Sequence, residues 1–196
     1  MLVLLATVAW AHGTAGVLQV DTGFHGRLTS TVAPPGIDTS WTERGEGVAP
    51  GVRVDGRLLV LGDRVEAGLS WDRSREEEVG SVYTRHSMTP TVGWRWPPED
   101  RFHGVVGVRA GPAWGRGEST GDDEWTTQTR WWLVGASVTG RGHLAGPVGV
   151  TASAGGALSW LRHARADANA AWADSYSELV GTERMGEVRV GLFVDW

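Results

Sequence analysis

Residues 186–196, Gly-Glu-Val-Arg-Val-Gly-Leu-Phe-Val-Asp-Trp, end the chain in a strict two-residue alternation. Successive side chains of a β-strand point to opposite faces, so one face of this segment is apolar and the other carries the charges. The apolar face holds Val188, Val190, Leu192, Val194 and Trp196, and the opposite face holds Glu187, Arg189, Gly191, Phe193 and Asp195. A tilted strand needs about 9–11 residues to cross a bilayer. The segment therefore predicts a membrane-spanning β-strand.

The same alternation recurs in seven earlier segments. With the last one, the predicted strands are residues 17–28, 52–61, 65–72, 87–96, 102–114, 131–139, 148–161 and 186–196. Each has one face without Asp, Glu or Arg, although the two faces of 131–139 differ too little to fix their phase. A charge on the lipid-facing side of a strand costs about 2–4 kcal/mol at mid-bilayer. The pattern predicts an all-β fold, an eight-stranded antiparallel up-and-down transmembrane β-barrel.

The connections between these strands alternate in length. Residues 29–51, 73–86, 115–130 and 162–184 form long polar connections, whereas 62–64, 97–101 and 140–146 are short. Outer-membrane barrels have long external loops and short periplasmic turns, and an even number of strands puts both termini in the periplasm. Tryptophans near the strand ends form two groups, as expected for aromatic belts at the two membrane interfaces. These groups are Trp71, Trp114 and Trp160 outside, and Trp94, Trp96 and Trp196 inside.

The polar faces of the predicted strands carry six acids and six arginines. They are Asp21, Arg27, Arg53, Asp55, Arg57, Glu66, Asp72, Arg95, Arg109, Glu187, Arg189 and Asp195. Eight strands enclose an interior that side chains just fill. We therefore expect a paired charge network that plugs the lumen, and a narrow porin-like channel is the alternative. His25 and His103 also face the predicted lumen, whereas His86 and His143 lie in or near connections.

Composition excludes several classes of protein. The 196 residues fit one domain, and the chain has no Cys, so a disulfide or a thiolate metal site is excluded. The net charge is −5 and all 18 basic residues are arginine without a basic run, which argues against nucleic acid as a partner. No stretch reaches the ~18–20 apolar residues of a transmembrane helix.

The N-terminus has the character of an export signal. Residues 2–11, Leu-Val-Leu-Leu-Ala-Thr-Val-Ala-Trp-Ala, form a short apolar run that ends in the small-x-small pattern Ala9-x-Ala11. No basic residue precedes the run, which departs from the usual pattern. The prediction is a signal peptide over residues 1–11 and an outer-membrane barrel domain over residues 12–196.

The tail resembles the C-terminal signal of bacterial outer-membrane β-barrels, which ends in an aromatic residue preceded by alternating apolar positions. Here those positions are Val190, Leu192, Val194 and Trp196, although the usual terminal residue is Phe. With eight strands, the chain resembles the small OmpA/OmpX-like class of the Gram-negative outer membrane. The resemblance implies insertion by the barrel-assembly machinery, which reads the last strand, and outer-membrane lipid as the surroundings.

Little in the sequence points to chemistry. The histidines lack metal-ligand spacing, and no cofactor is expected. A lipid-modifying enzyme would need Ser, His and an acid to converge at one rim, but His86 and Ser87 are adjacent and point to opposite faces of a strand. We expect a structural role or contacts of the surface loops with an extracellular partner. A channel, a rim-sited lipid enzyme and a soluble secreted β-sandwich remain alternatives.

Overall fold

The computed structural model describes residues 15–33, 42–43, 48–61, 64–97, 101–120, 125–168 and 176–196. The eight long strands are β1 (Gly16–Ala33), β2 (Val48–Val60), β3 (Val65–Glu78), β4 (Ser81–Trp96), β5 (Phe102–Ser119), β6 (Trp125–Ala145), β7 (Val148–Ala168) and β8 (Val180–Asp195). A two-residue strand, Thr42–Glu43, pairs with β1 at Ser30 and Thr31. Within these ranges no helix is long and apolar enough to cross a membrane. The predicted signal peptide, residues 1–11, lies outside the described residues.

The sheet closes on itself. Each strand pairs antiparallel with the next, from β1 to β8, and β8 pairs back with β1 over Val17↔Asp195 to Ala33↔Val180. Backbone hydrogen bonds between Gly16 and Trp196, 3.0 and 3.1 Å long, extend this seam at the point where β1 begins and β8 ends. The predicted eight-stranded up-and-down barrel is therefore confirmed, and the two-sheet sandwich alternative is wrong.

The barrel has two ends. The terminal end contains Gly16, Trp196 and the turns that join β2 to β3, β4 to β5 and β6 to β7. The far end contains the opposite ends of the strands, including the described turn between β3 and β4 at Val79 and Gly80. At the far end the strands run well past the predicted limits, since β5 has 18 residues and β6 and β7 have 21 each.

Several predicted connections are therefore wrong in extent. Residues 73–86 are a hairpin of β3 and β4 closed by the turn at Val79 and Gly80, where a φ of 81° favours glycine. Most of 115–130 and 162–184 is also strand, as is 140–145 at the terminal end. His86 lies in β4 and His143 in β6, and not in connections. The strands continue because paired strands of a hairpin satisfy each other's backbone groups along their whole length.

The two faces of the strands differ in polarity as predicted. Outward residues include Phe24 and Val106, which are 60% and 58% exposed, while the buried residues are mostly polar or charged. The structure fixes the phase of 131–139, which the sequence left open: Trp132, Val134 and Val138 face outward, and Trp131 and Leu133 face the lumen. A globular core has the opposite arrangement of polarity.

Candidate functional site: the charged lumen

The structure places all twelve predicted charged residues on the inward face of the barrel. They are Asp21, Arg27, Arg53, Asp55, Arg57, Glu66, Asp72, Arg95, Arg109, Glu187, Arg189 and Asp195. Most are buried, and Arg27, Arg109 and Asp195 are partly so. The geometry divides them among a central cluster, a terminal-end cluster and a far-end cluster.

The central cluster is built around Asp72 of β3 and Glu187 of β8. Arg53 contacts both carboxylates, at 3.1 Å from Asp72 Oδ2 and 2.6 Å from Glu187 Oε2. Arg109 lies 2.9 Å from the same Glu187 oxygen, and Arg189 donates a 2.7 Å hydrogen bond to Asp72 Oδ2. Three guanidinium groups therefore share two carboxylates across four strands. Such charge-assisted contacts are stronger than neutral hydrogen bonds and hold the strands in register across the lumen.

His25 borders this cluster. Its Nε2 lies 3.3 Å from Asp72 Oδ1 and its Nδ1 lies 3.9 Å from Glu187 Oε2, and Arg189 also contacts the ring. His25, Asp72 and Glu187 each place one ligand atom within 4.8 Å of the others, a spacing that suits a metal ion. The arginines already neutralise both carboxylates, so a cation entering here would meet their repulsion at close range. His25, Asp72 and Glu187 therefore fit an ion-pair cluster with the arginines better than a metal site.

The terminal-end cluster centres on Glu66 of β3, whose side chain has no exposed surface. Arg141 Nη1 lies 2.5 Å from Glu66 Oε1, and Arg95 Nε lies 3.0 Å from the same oxygen. Arg57 Nη1 lies 3.3 Å from Glu66 Oε2 and Arg57 Nη2 lies 3.3 Å from Asp55 Oδ2. One carboxylate thus holds three arginines from three different strands.

Hydrogen bonds extend this cluster towards β1 and β7. Arg141 donates to Gln19 Oε1 from Nη2 at 2.8 Å and from Nε at 3.1 Å. Gln19 Nε2 donates to Asp21 Oδ2 at 2.5 Å, and the Thr151 hydroxyl donates to Asp21 Oδ1 at 2.5 Å. Together with Glu66, these polar side chains link four strands by one continuous series of hydrogen bonds and ion pairs across the lumen.

The far-end cluster contains residues that the sequence analysis placed in loops. Arg85 Nη1 lies 2.6 Å from Glu183 Oε2, and Arg85 Nη2 donates a 2.8 Å hydrogen bond to Ser159 Oγ. Arg27 lies 3.0 Å from Glu76 and 3.9 Å from Glu183. Arg27 was predicted to face the lumen, but its partners were not.

Four charged members of the network, Glu76, Arg85, Arg141 and Glu183, were missed because the predicted strands stopped too early. Arg141 lies two positions after the lumen-facing Thr139, and Arg85 lies two positions before the lumen-facing Ser87. Continuing the two-residue alternation past the length of a bilayer would have found both residues. Glu183 needed the same extension of β8 towards its N-terminal end.

An apolar layer lies in the lumen beside the far-end cluster. Its buried members are Ala113, Trp131, Leu133, Leu161 and Ala164. Tyr176 and Leu179, from the connection before β8, pack against this layer, and burial raises the pKa of Tyr176. The Arg85 guanidinium lies over the Trp131 ring at 5.2 Å. The apolar layer and the arginines therefore touch directly.

Aromatic rings occupy the terminal end of the lumen. The His143 ring packs edge-on against Phe193 with centroids 4.9 Å apart, and His103 lies 5.9 Å from His143. His143 Nε2 lies 3.0 Å from Asp195 Oδ2, which also contacts Arg95 at 3.2 Å. His103 and the predicted lumen residues thus meet a histidine that the sequence analysis had placed in a turn.

The His86–Ser87 pair considered for hydrolytic chemistry does not converge. Ser87 is 6% exposed and faces the lumen, while His86 faces outward and stacks near Trp71 with ring centroids 6.2 Å apart. The barrel wall separates the two side chains, so this pair does not provide a nucleophile and its base.

Comparison with known proteins identifies the fold. No family model and no curated protein matches the sequence. Among solved structures, a major outer membrane protein from Thermus thermophilus matches with a TM-score of 0.57 and 11% identity, covering 93% of this chain and 99% of that chain. The outer membrane protein OprG from Pseudomonas aeruginosa matches with a TM-score of 0.56 and 6% identity, over 93% and 96% of the two chains. Neisserial surface protein A matches with a TM-score of 0.53 and 13% identity, over 93% and 99%.

At these identities the likeness establishes the fold. The chain has the fold of the small outer-membrane β-barrels, and the predicted resemblance to that class is confirmed at this level.

Proposed function

We propose that this chain is an integral barrel of a bacterial outer membrane, with a sealed lumen and a structural or surface-contact role. The reversed polarity of the barrel carries the proposal, because apolar side chains point outward and charged ones point inward. A soluble barrel would expose this apolar surface to water, whereas lipid solvates it without cost. Outer-membrane lipid is therefore the first partner.

The orientation follows from the two ends of the barrel. The terminal end, where β1 begins, β8 ends and short connections join the strands, corresponds to the periplasmic side, and the far end to the outside. Trp94 and Trp96 are exposed near the terminal end, while Trp114 and Trp132 are exposed towards the far end. Indole rings prefer the two membrane interfaces, so these side chains support this placement.

The lumen contains three successive layers that oppose conduction. The aromatic group at the terminal end, the arginine–carboxylate clusters and the apolar layer around Trp131 all occupy the interior. An eight-stranded barrel has little room beyond its own side chains. A sealed barrel is therefore favoured over the narrow channel, and the remaining roles lie in the membrane or at the external hairpins.

The last strand is the proposed assembly signal. Val190, Leu192 and Val194 are 57%, 58% and 41% exposed on the outer face of β8, and Trp196 forms the backbone bonds that close the seam. An outward apolar row that ends at the seam is available to the barrel-assembly machinery before closure. External hairpins remain for an extracellular partner, and no enzymatic step is part of the proposal.

Membrane fractionation combined with heat-modifiability tests the proposal. The full chain is expressed in a Gram-negative host, outer membranes are isolated, and the protein is run on SDS gels with and without boiling. We expect the protein in the outer-membrane fraction with a different mobility when unboiled, because a closed barrel resists SDS. Recovery as a soluble periplasmic protein without a mobility shift would overturn the proposal.

Conductance in planar bilayers tests the sealed lumen separately. The purified protein is expected to give no steady single-channel current, with a known porin as the positive control. A reproducible ohmic current from the wild-type protein would replace the sealed barrel by the channel.

A further inference from the structure

The apolar layer differs chemically from the rest of the lumen. Among the described residues nine apolar side chains are buried, and five of them belong to this layer, whereas most other buried side chains are polar or charged. The five come from three neighbouring strands and meet at one level, since Ala113 pairs with Trp131 and Trp131 pairs with Leu161. Ligand sites in proteins are lined mainly by apolar and aromatic side chains of this kind.

A β-bulge in β7 lies at the apolar layer. The register of β7 with β6 shifts between Arg130 and Trp131, so β7 has an extra residue there, Arg162. As a result Leu161 and Ala164, which are three positions apart, are both buried in the layer. Bulges change the direction of side chains and occur often beside functional sites.

The pairing of β7 with β8 ends at the same level. The last pair is Trp160 with Thr182, although β8 begins two residues earlier, at Val180. Val180 and Gly181 pair with β1, and β7 beyond Leu161 pairs with β6. Within the described ranges, the two strands are therefore not joined to each other beside the apolar layer, and we call this place the β7–β8 gap.

A groove of about 510 Å³ lies on the outer side of the β7–β8 gap. Trp132 and Trp160 line it, and so do Val180 and Gly181 of β8. Leu161 lines the groove and is also a member of the apolar layer. Leu161 therefore lies between the outer surface of the barrel and the apolar layer in the lumen.

Residues 176–179 form a strap over the apolar layer. Tyr176 and Leu179 are partly buried and pack against it. The Leu179 N–H donates a 3.3 Å hydrogen bond to the Tyr176 carbonyl, so both side chains come from one turn. The members of the layer belong to paired strands, whereas these two side chains belong to a connection. A ligand can therefore take their place without breaking the pairing of β5, β6 and β7.

The charge beside the layer restricts the kind of ligand. The Arg85 guanidinium lies 5.2 Å from the Trp131 ring, but it is paired with Glu183 at 2.6 Å and donates to Ser159 at 2.8 Å. A charged ligand would lose its hydration here and find Arg85 already neutralised. An indole ring favours offset or edge contacts with another ring, and an apolar protein cavity of roughly 150 Å³ binds benzene. The layer therefore suits a small uncharged molecule with an aromatic ring.

We propose that the apolar layer binds a small uncharged aromatic molecule, which passes through the β7–β8 gap and takes the place of Tyr176 and Leu179. The inference rests on the proposed function, because the gap must face lipid for an apolar molecule to reach it by partitioning. The central and terminal-end clusters stay paired, so the ligand binds without opening the lumen.

Photolabelling of the full chain in lipid vesicles tests this site. The probe is 1-azidonaphthalene, unlabelled naphthalene is the competitor, and mass spectrometry of peptides locates the attached label. We expect label on Trp131 and Leu161 that saturates with probe concentration and is removed by naphthalene. Label on the neighbouring outward residue Trp132 should instead rise in proportion to the probe, because it reports partitioning into lipid.

Substitutions on the strap and in the layer locate the binding. Tyr176→Ala/Leu179→Ala removes the side chains that the ligand displaces and should lower the half-saturating probe concentration at least about tenfold. Leu161→Gln places a polar group in the layer and should raise that concentration at least about tenfold. The control Val79→Ala shortens a fully exposed side chain of another far-end turn and should change it less than about twofold.

Three results would overturn the inference. They are label on Trp131 and Leu161 that naphthalene does not remove, the same half-saturation in the strap variant as in the wild-type protein, and the same half-saturation in Leu161→Gln. Every variant is also run on gels with and without boiling. A protein that shifts on heating but shows no competed label is a barrel without this site, whereas a protein that does not shift contradicts the proposed function itself.

Discussion

Replacement of Glu66 by Gln tests whether the lumen is held together by its charges. The substitution keeps the shape of the side chain, so it leaves no cavity, and it removes one negative charge. Glu66 contacts Arg141 at 2.5 Å and Arg95 at 3.0 Å, and its side chain is fully buried. Arg57 completes the set at 3.3 Å. In Glu66→Gln these three guanidinium groups keep their charges and lose their shared counterion.

The magnitude follows from burial. Removing one partner of a buried ion pair costs about 3–5 kcal/mol, because the remaining charge stays buried without compensation. Glu77→Gln is the matched control, since Glu77 also contacts an arginine, Arg75, at 2.9 Å, but the two side chains are 66% and 54% exposed. An exposed pair of this kind contributes at most about 1 kcal/mol.

The assay is equilibrium unfolding in guanidinium chloride of the full chain in lipid vesicles, followed by the fluorescence of its 12 tryptophans. Glu66→Gln should lose several times more free energy of unfolding than Glu77→Gln. Combination with Arg141→Gln should recover part of the loss, with a coupling energy of at least about 1 kcal/mol. Equal losses for the buried and the exposed glutamate would refute the reasoning, and so would strict additivity of the double variant.

Three further outcomes are expected. Gly23→Ala places a Cβ against a carbonyl oxygen of the neighbouring β8 strand and should cost about 1–3 kcal/mol in the same unfolding assay. In the control Gly26→Ala the new Cβ meets no atom within 4 Å, so the free energy of unfolding should change by less than about 0.5 kcal/mol. Equal effects of the two substitutions would contradict the close approach at Gly23. Deletion of Trp196 removes the two seam bonds to Gly16 and should lower the heat-modifiable fraction in outer membranes, and Trp196→Phe should retain this fraction. Normal assembly of the deletion variant would exclude the terminal residue from the signal. Burial raises the pKa of Tyr176, so the docking of its connection should be complete below the unfolded value of about 10 and weaken as pH rises towards the folded value. Titration of tyrosinate absorbance in Tyr83→Phe, where Tyr176 is the remaining tyrosine, should give a higher midpoint folded than unfolded, and equal midpoints would contradict its burial.

The sequence predicts which side chains of the barrel wall face outward, because the polarity of each residue indicates the face on which it lies. A two-residue period together with the cost of a charge in lipid identifies the outward side chains one strand at a time. The segment around Trp131 and Trp132 was harder, because both of its faces are apolar and neither is excluded from lipid by a charge. The alternation within one strand can be recognised without knowing which residues lie across the lumen.

The pairing inside the lumen was not readable in the same way. Arg53 meets Glu187, which lies 134 residues away, because the offset between β1 and β8 decides which positions face each other across the interior. The far-end partners Arg85 and Glu183 were assigned to loops for a different reason. A strand length based on the thickness of a bilayer ends each strand before the part that leaves the membrane.

The distances along the chain between these partners have a consequence for the order of folding. Asp72 meets Arg189 from 117 residues away, and Arg141 meets Gln19 from 122 residues away. In an open sheet that lacks its last strand, Arg53 and Asp72 still pair with each other but lack Glu187 and Arg189, and the edge of β1 is unpaired. Closure of the seam therefore also completes the charge pairing of the central cluster. The central cluster is therefore expected to be complete only when β8 has paired with β1.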